Sequence, residues 1–181
     1  FNSLLVAVIW VIARAFTASL AGYAFARMQF PGRNLLFLLV LSTMMVPGMV
    51  TIVPKFLILK QLHLIDTYGA LTVPFMADAF GIFLMKQFFE SIPVELEEAA
   101  RVDGASRYRM FAQVILPNAM PALTALAIFS FQGAWNAFLE PLIFMTSTEI
   151  YTLLAGETEI DRAIKFMEAA GADFDELKRV E

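Results

Sequence analysis

The side chains of this chain that could do chemistry are few, and they stand apart. There is one histidine, His63, and no cysteine. Disulfide frameworks, thiolate metal sites and cysteine nucleophiles are therefore excluded, and no second metal-type ligand stands close to His63 in sequence. Ser, His and Asp all occur, but no spacing gathers them into a triad. No G-x-x-x-x-G-K-[ST] loop is present to cradle nucleotide phosphates. What remains is a set of polar groups in apolar surroundings. Arg14 and Asp78 each interrupt an apolar stretch, and Gln132, Trp135 and Asn136 sit toward the end of another. A charge at the centre of a bilayer costs about 2.5–3.5 kcal/mol on insertion scales, so such residues face a protein interior or a watery pathway. Two roles are open for Arg14 and Asp78: lining a pathway or pairing inside a helix bundle, and packing against a partner subunit with access to water. Gln132, Trp135 and Asn136 either contact a ligand or partner, or mark an interfacial tryptophan anchor. Tyr68 reads as another anchor.

The elements that must hold these residues are membrane helices. The chain is 59% hydrophobic and 17% charged, with 18 Phe and 10 Met, against about 45–50% apolar and about 25% charged in soluble domains. Four stretches, residues 4–26, 35–59, 68–85 and 120–139, approach the roughly 20 apolar residues that a spanning helix needs. The expectation is an all-α, polytopic helix bundle. The first stretch lacks the basic start of a signal peptide and is too long for its apolar core. The start at Phe1-Asn2-Ser3 implies that the natural N-terminus lies upstream. Pro47, Pro54 and Pro74 fall in or beside spans, where neighbouring groups satisfy the freed carbonyls.

Charge orients the spans. Arg27 and Arg33 flank the first connection, and Lys86, Arg101, Arg107 and Arg109 the third; the second has Lys55 and Lys60. The positive-inside rule places the first and third connections in the cytoplasm.

Residues 90–118, ESIPVELEEAARVDGASRYRMFAQVILPN, are too long for a turn and read as two short helices. Pro93 sits near the start of the first, with Glu95, Glu97 and Glu98 in its early turns. Gly104 fits the left-handed residue after its end. Ser106 caps the second helix, and Pro117 stops it. Glu98, Val102 and Ala105 share one face. On these grounds the elbow is either a docking knob for another protein or an amphipathic pair lying on lipid headgroups.

The spacing of Glu98-Ala99-Ala100, Gly104 and Val114-Ile115-Leu116-Pro117 resembles the EAA loop of binding-protein-dependent ABC permeases: EAA, three residues, Gly, nine residues, I-x-L-P, with Val114 for the family's Ile. Gln87-Phe88-Phe89, Ile92-Pro93, Asp103-Gly104-Ala105-Ser106, Met45-Val46-Pro47, Asp66-Thr67-Tyr68 and Trp135-Asn136-Ala137-Phe138-Leu139 are similar to the maltose-type carbohydrate branch. The resemblance spans residues 1–156. It implies a multi-pass subunit of the bacterial cytoplasmic (inner) membrane that forms a sugar pathway with a second permease subunit, receives solute from an extracytoplasmic binding protein, and is driven by separate ATP-binding subunits. It implies an ATPase-coupling loop of Glu98, Ala99, Ala100, Asp103, Gly104, Ile115, Leu116 and Pro117. In it Glu98 contacts the ATPase, the alanines permit close approach, and Gly104 makes the bend. The expected surroundings are lipid and those partners, with no cofactor, metal, nucleic acid or enzymatic activity of its own. Mono-, di- and oligosaccharides and a glycerol phosphate all stay open as substrates.

Residues 157–181 differ in character. They carry four basic and eight acidic side chains, whereas residues 1–156 carry nine of each. The tail reads as soluble, acidic and helical, with Thr158 and Asp161 as a capping box and an apolar stripe of Ile160, Ile164 and Met167. Residues 158–167 are similar to a short segment of plant-type deoxy-heptulosonate phosphate synthases, without a recognisable active site. Two other readings stay open for the whole chain: a truncated or chimaeric, non-functional permease fragment, and a secondary transporter that works alone.

Overall fold

The computed structural model describes residues 1–146; the expected tail, with its Thr158–Asp161 capping box, lies outside them. The described residues form helices joined by short turns and contain no strand. In chain order the helices are α1 (Asn2–Arg27), α2 (Arg33–Thr43), α3 (Ile52–Gln61), α4 (Tyr68–Thr72), α5 (Ala79–Ser91), α6 (Val94–Val102), α7 (Arg107–Met110), α8 (Leu116–Asn118), α9 (Met120–Trp135) and α10 (Leu139–Phe144).

Among the described residues, α1 alone is a single helix long and apolar enough to cross a membrane. The other three expected spans are bent pairs, and each bend has a local cause. The expected helix over 35–59 breaks after Thr43, and its halves meet at 96°. Ser42 and Thr43 donate their hydroxyls to the carbonyls of Leu39 and Val40, both at 2.7 Å, competing with the backbone ladder. Pro47 then lacks the N–H that would continue it. The third span, the pair Tyr68–Phe75 and Ala79–Ser91, bends by 40° and runs past the expected end at residue 85. Its break follows Pro74, and Asp78 restarts the helix by accepting a hydrogen bond from the Gly81 N–H at 3.2 Å. Thus Asp78 sits at a helix break rather than in mid-helix as expected. The fourth, expected over 120–139, is shorter at its end: α9 stops at Trp135, and its bent partner lies before it, Arg107–Asn118, at 74° across Ala119.

α1 is the axis of the bundle, packed along α5 and α9. Two buried apolar clusters lie along it. One gathers Val6, Ala7 and Trp10 with Leu59, Leu71, Phe75 and Phe144. The other gathers Ala18 with Met85, Phe89, Ile115, Ala122 and Leu126. At one end of the bundle the Tyr68 hydroxyl donates to Asn2 Oδ1 at 2.9 Å, and the Asp66 N–H donates to the Phe144 carbonyl at 3.0 Å. At the other end Arg27 meets the end of α5 and the start of α6. The first and third connections therefore share one end, as the charge pattern requires.

The α1–α5 crossing depends on Gly22. A Cβ there would lie 2.8 Å from Met85 Cβ and 2.9 Å from the Lys86 backbone nitrogen, so the helices would have to part. Overpacking of this kind costs about 1–3 kcal/mol. Gly22→Val is expected to lower the thermal midpoint of the detergent-purified protein by several degrees; an unchanged midpoint would show that the crossing relaxes freely.

Candidate functional site

The elbow is built from local signals. Pro93 precedes α6, Glu95 and Glu97 lie in its first turn, and Arg101 in its last, all matched to the helix dipole. α6 then ends in a Schellman motif. The Ala105 N–H donates to the Ala100 carbonyl at 2.9 Å and the Gly104 N–H to the Arg101 carbonyl at 3.1 Å, with Gly104 at φ +75°. Two residues later Ser106 Oγ accepts from the Arg109 N–H at 3.3 Å and starts α7. Both caps stand where the sequence places them.

Two expectations for the elbow are corrected. Pro117 does not stop the second helix. Residues Phe111–Ile115 form a π turn, Pro117 lies inside α8, and the chain breaks at Ala119, where the 74° bend into α9 occurs. The wider π turn moves the proline ring off the carbonyl it would otherwise strike. Ala105 also leaves the face of Glu98 and Val102, because α6 ends at Val102.

The elbow has two sides. Its outer side exposes Glu98, Ala99, Asp103 and Gly104, with Val102 87% and Tyr108 80% accessible. Its inner side buries Glu97, Met110 and Ile115. Beneath it the Tyr23 ring lies 4.9 Å from that of Phe111 and 6.0 Å, edge-on, from that of Phe89. Ala100 and Leu116 are half-buried, and Pro117 is exposed. Sequence reasoning missed Glu97, which is inward-facing and 3.1 Å from Arg27 Nε. Three glutamates in four residues carry no local mark of which one turns inward, and Arg27 lies far away in the chain.

The intramembrane polar residues gather at the break in the third span. Arg14 Nε donates to the Phe75 carbonyl at 2.9 Å, and Thr17 Oγ1 donates to the Met76 carbonyl at 2.8 Å. Arg14 Nε also lies 3.9 Å from Asp78 Oδ1, and its guanidinium sits 4.5 Å from the Trp10 ring centroid. The layer separates the two apolar clusters and satisfies carbonyls that the interrupted helix leaves free. Thr17 was not singled out from sequence, since a threonine in an apolar helix ordinarily bonds its own backbone. Gln132 and Asn136 are not part of this layer; they are exposed toward the other end of α9, where Trp135 stacks on Phe131 at 5.4 Å. His63 is exposed, and no cluster of metal-type side chains occurs among the described residues.

Residues 16–166 match the family described as binding-protein-dependent transport system inner membrane component, past the composition boundary at 156. The chain is 36% identical over 155 residues to the arabinooligosaccharides transport system permease protein AraQ of Halalkalibacterium halodurans, covering 86% of this chain and 56% of the relative. It is 37% identical over 155 residues to the sn-glycerol-3-phosphate transport system permease protein UgpE of Escherichia coli K12, covering 86% and 55%. The chain thus spans about half the length of the curated relatives it matches. Among solved structures it is similar to a chain of a bacterial ABC transporter involved in the import of the acidic polysaccharide alginate. The TM-score is 0.75 with 26% identity, covering 92% of this chain and 56% of that one.

Proposed function

We propose, because this chain belongs to the family of binding-protein-dependent transport system inner membrane components, that it serves as a permease subunit of an ABC importer for a carbohydrate or related polyol phosphate. Residues 1–156 are its membrane domain, and residues 157–181 an acidic tail. The chain catalyses no reaction of its own: ATP is hydrolysed by separate ATP-binding subunits, which grip the elbow. A second permease subunit completes the pathway, and a solute-binding protein delivers the substrate from outside. Relatives whose names state arabinooligosaccharides and sn-glycerol-3-phosphate support this substrate class.

The observation that carries the reading is the two-sided elbow. Glu98, Val102 and Tyr108 project outward from a bend whose other side is anchored in the bundle. Such a projection fits a cleft on another protein. A transporter working alone would have no use for it. On closure of the ATP-binding subunits the elbow is displaced, and the helices it joins, α5 and α9, tilt. Arg14 and Asp78 then act chiefly as internal bracing at the helix break, while Gln132 and Asn136 lie where solute or binding protein approaches.

The topology is tested by labelling. The chain has no cysteine, so His63→Cys and Arg107→Cys each give one thiol at an exposed position. A membrane-impermeant maleimide applied outside intact cells is expected to label position 63 and miss position 107. The reverse pattern would overturn the orientation and, with it, a cytoplasmic elbow.

A further inference from the structure

The elbow is continuous in chain with α5 and α9 but not with α1, the axis of the bundle. Any displacement of α1 by the elbow must therefore pass through side chains. Two links exist. Tyr23 touches the rings of Phe89 and Phe111, an apolar contact that holds no particular direction. Arg27, in the last turn of α1, makes the directional one. Its Nη2 donates to the Phe89 carbonyl at 2.7 Å and also to the Ile92 carbonyl, and its Nε lies 3.1 Å from Glu97 Oε1, an ion-pair contact without hydrogen-bond geometry. The two side chains are only 9% and 8% exposed. One rigid guanidinium fork thus joins three elements: the end of α1, the carbonyls closing α5, where the helix dipole favours a cation, and the first turn of α6.

We propose that Arg27 is the positioning residue that makes α1 and the elbow one body, with Glu97 as its counter-ion, so that a pull on the elbow reaches the bundle axis. The inference rests on the coupling reading above. In that reading Glu98 faces outward to the partner, and its neighbour Glu97 faces inward to the strut. The two adjacent glutamates divide gripping from transmission.

The test compares the wild-type chain with Arg27→Met/Glu97→Met, which removes both charges together and leaves none buried alone. Spin labels at the exposed positions Gln29 and Glu95 report the α1–elbow distance in the isolated chain. A label at Phe16, on the exposed face of α1, reports the response of the assembled transporter to Mg-ATP with vanadate. Wild type is expected to give one narrow distance and a nucleotide-dependent change at position 16. The double variant should at least double the width of the distance distribution. It should also lose most of the position-16 response while the complex still traps nucleotide. Arg27→Cys/Glu97→Cys should restore both signals once the thiols are joined by a short bifunctional reagent. This arm keeps the test decisive if the methionine variant fails to assemble. A double variant with the wild-type distance and response, or a bridged pair that restores neither, overturns the proposal. A wild-type complex with a narrow distance but no response to nucleotide would instead count against the coupling reading, and the strut would then have nothing to transmit.

Discussion

Gly104→Pro is expected to abolish ATP-driven uptake, to below about 1% of wild type, while the chain still inserts in the membrane. Gly104 stands at φ +75° and donates its N–H to the Arg101 carbonyl. Proline fixes φ near −65° and has no N–H, so neither the turn nor the hydrogen bond survives. No atom lies within 4 Å of the place a Cβ would take, so the defect is one of backbone and not of crowding. Gly104→Ala is correspondingly milder, since a left-handed L-residue costs about 1–2 kcal/mol. Glu98→Lys reaches the same end by another route. Glu98 is exposed, so reversal should leave the isolated chain's thermal midpoint unchanged. At a docked, desolvated contact a broken charge pair costs about 2–5 kcal/mol, enough to release the ATP-binding subunits during purification. Uptake assays on vesicles, together with co-purification, check both variants. Normal uptake by both would remove the docking role from the elbow.

The second large effect lies at the helix break. Arg14→Leu removes a donor from the Phe75 carbonyl and leaves Asp78 without its cation in one step. Breaking a buried pair from one side costs about 3–5 kcal/mol, and the partial exposure here, 15% and 25% for the two side chains, points to the low end. Asp78→Leu strands Arg14 less completely, because the Phe75 carbonyl still accepts from it, but it removes the cap on the Gly81 N–H, worth about 0.5–2 kcal/mol. The double Leu variant should be more stable than the sum of the two losses predicts, by at least about 1 kcal/mol, a coupling of the size found for contacting residues. Thermal unfolding of the four proteins in one detergent measures it. Strict additivity would mean that the two residues act separately.

How much of this was legible in the sequence depended on the reach of the interactions. α1 was readable because 26 consecutive residues are nearly all apolar. The Schellman turn at Gly104 and the cap at Ser106 were readable because every bond in them closes within six residues. That Arg14 and Asp78 each interrupt an apolar stretch was readable, and the fold brings Arg14 Nε to 3.9 Å from Asp78 Oδ1, but the break that places Asp78 there was not. The bends were not. Pro47, Pro74 and Pro117 are all prolines near apolar runs, yet one follows a break, one precedes a break, and one lies inside a helical turn. Neighbouring side chains, not the proline alone, decide the outcome: Ser42 and Thr43 at the first, Arg14 and Thr17 at the second, and a π turn at the third. The Arg27–Glu97 contact was illegible for the same reason as any long-range pair. Arg27 reads in sequence as an orienting cation and Glu97 as one of three helix-start acids; only the packing of α1 against α5 brings them together.

The most direct test of the central claim, that the elbow docks on a separate ATP-binding subunit, is site-specific photo-crosslinking in the native membrane. A benzophenone amino acid in place of Val102, which is 87% exposed on the outer side, should capture the ATP-binding subunit on irradiation. The same group in place of Phe16, on the exposed face of α1, should not. Capture of that subunit from position 102 alone is expected; crosslinks from position 102 to lipid only, with the ATP-binding subunit present in the same membranes, would show that the elbow lies on lipid instead.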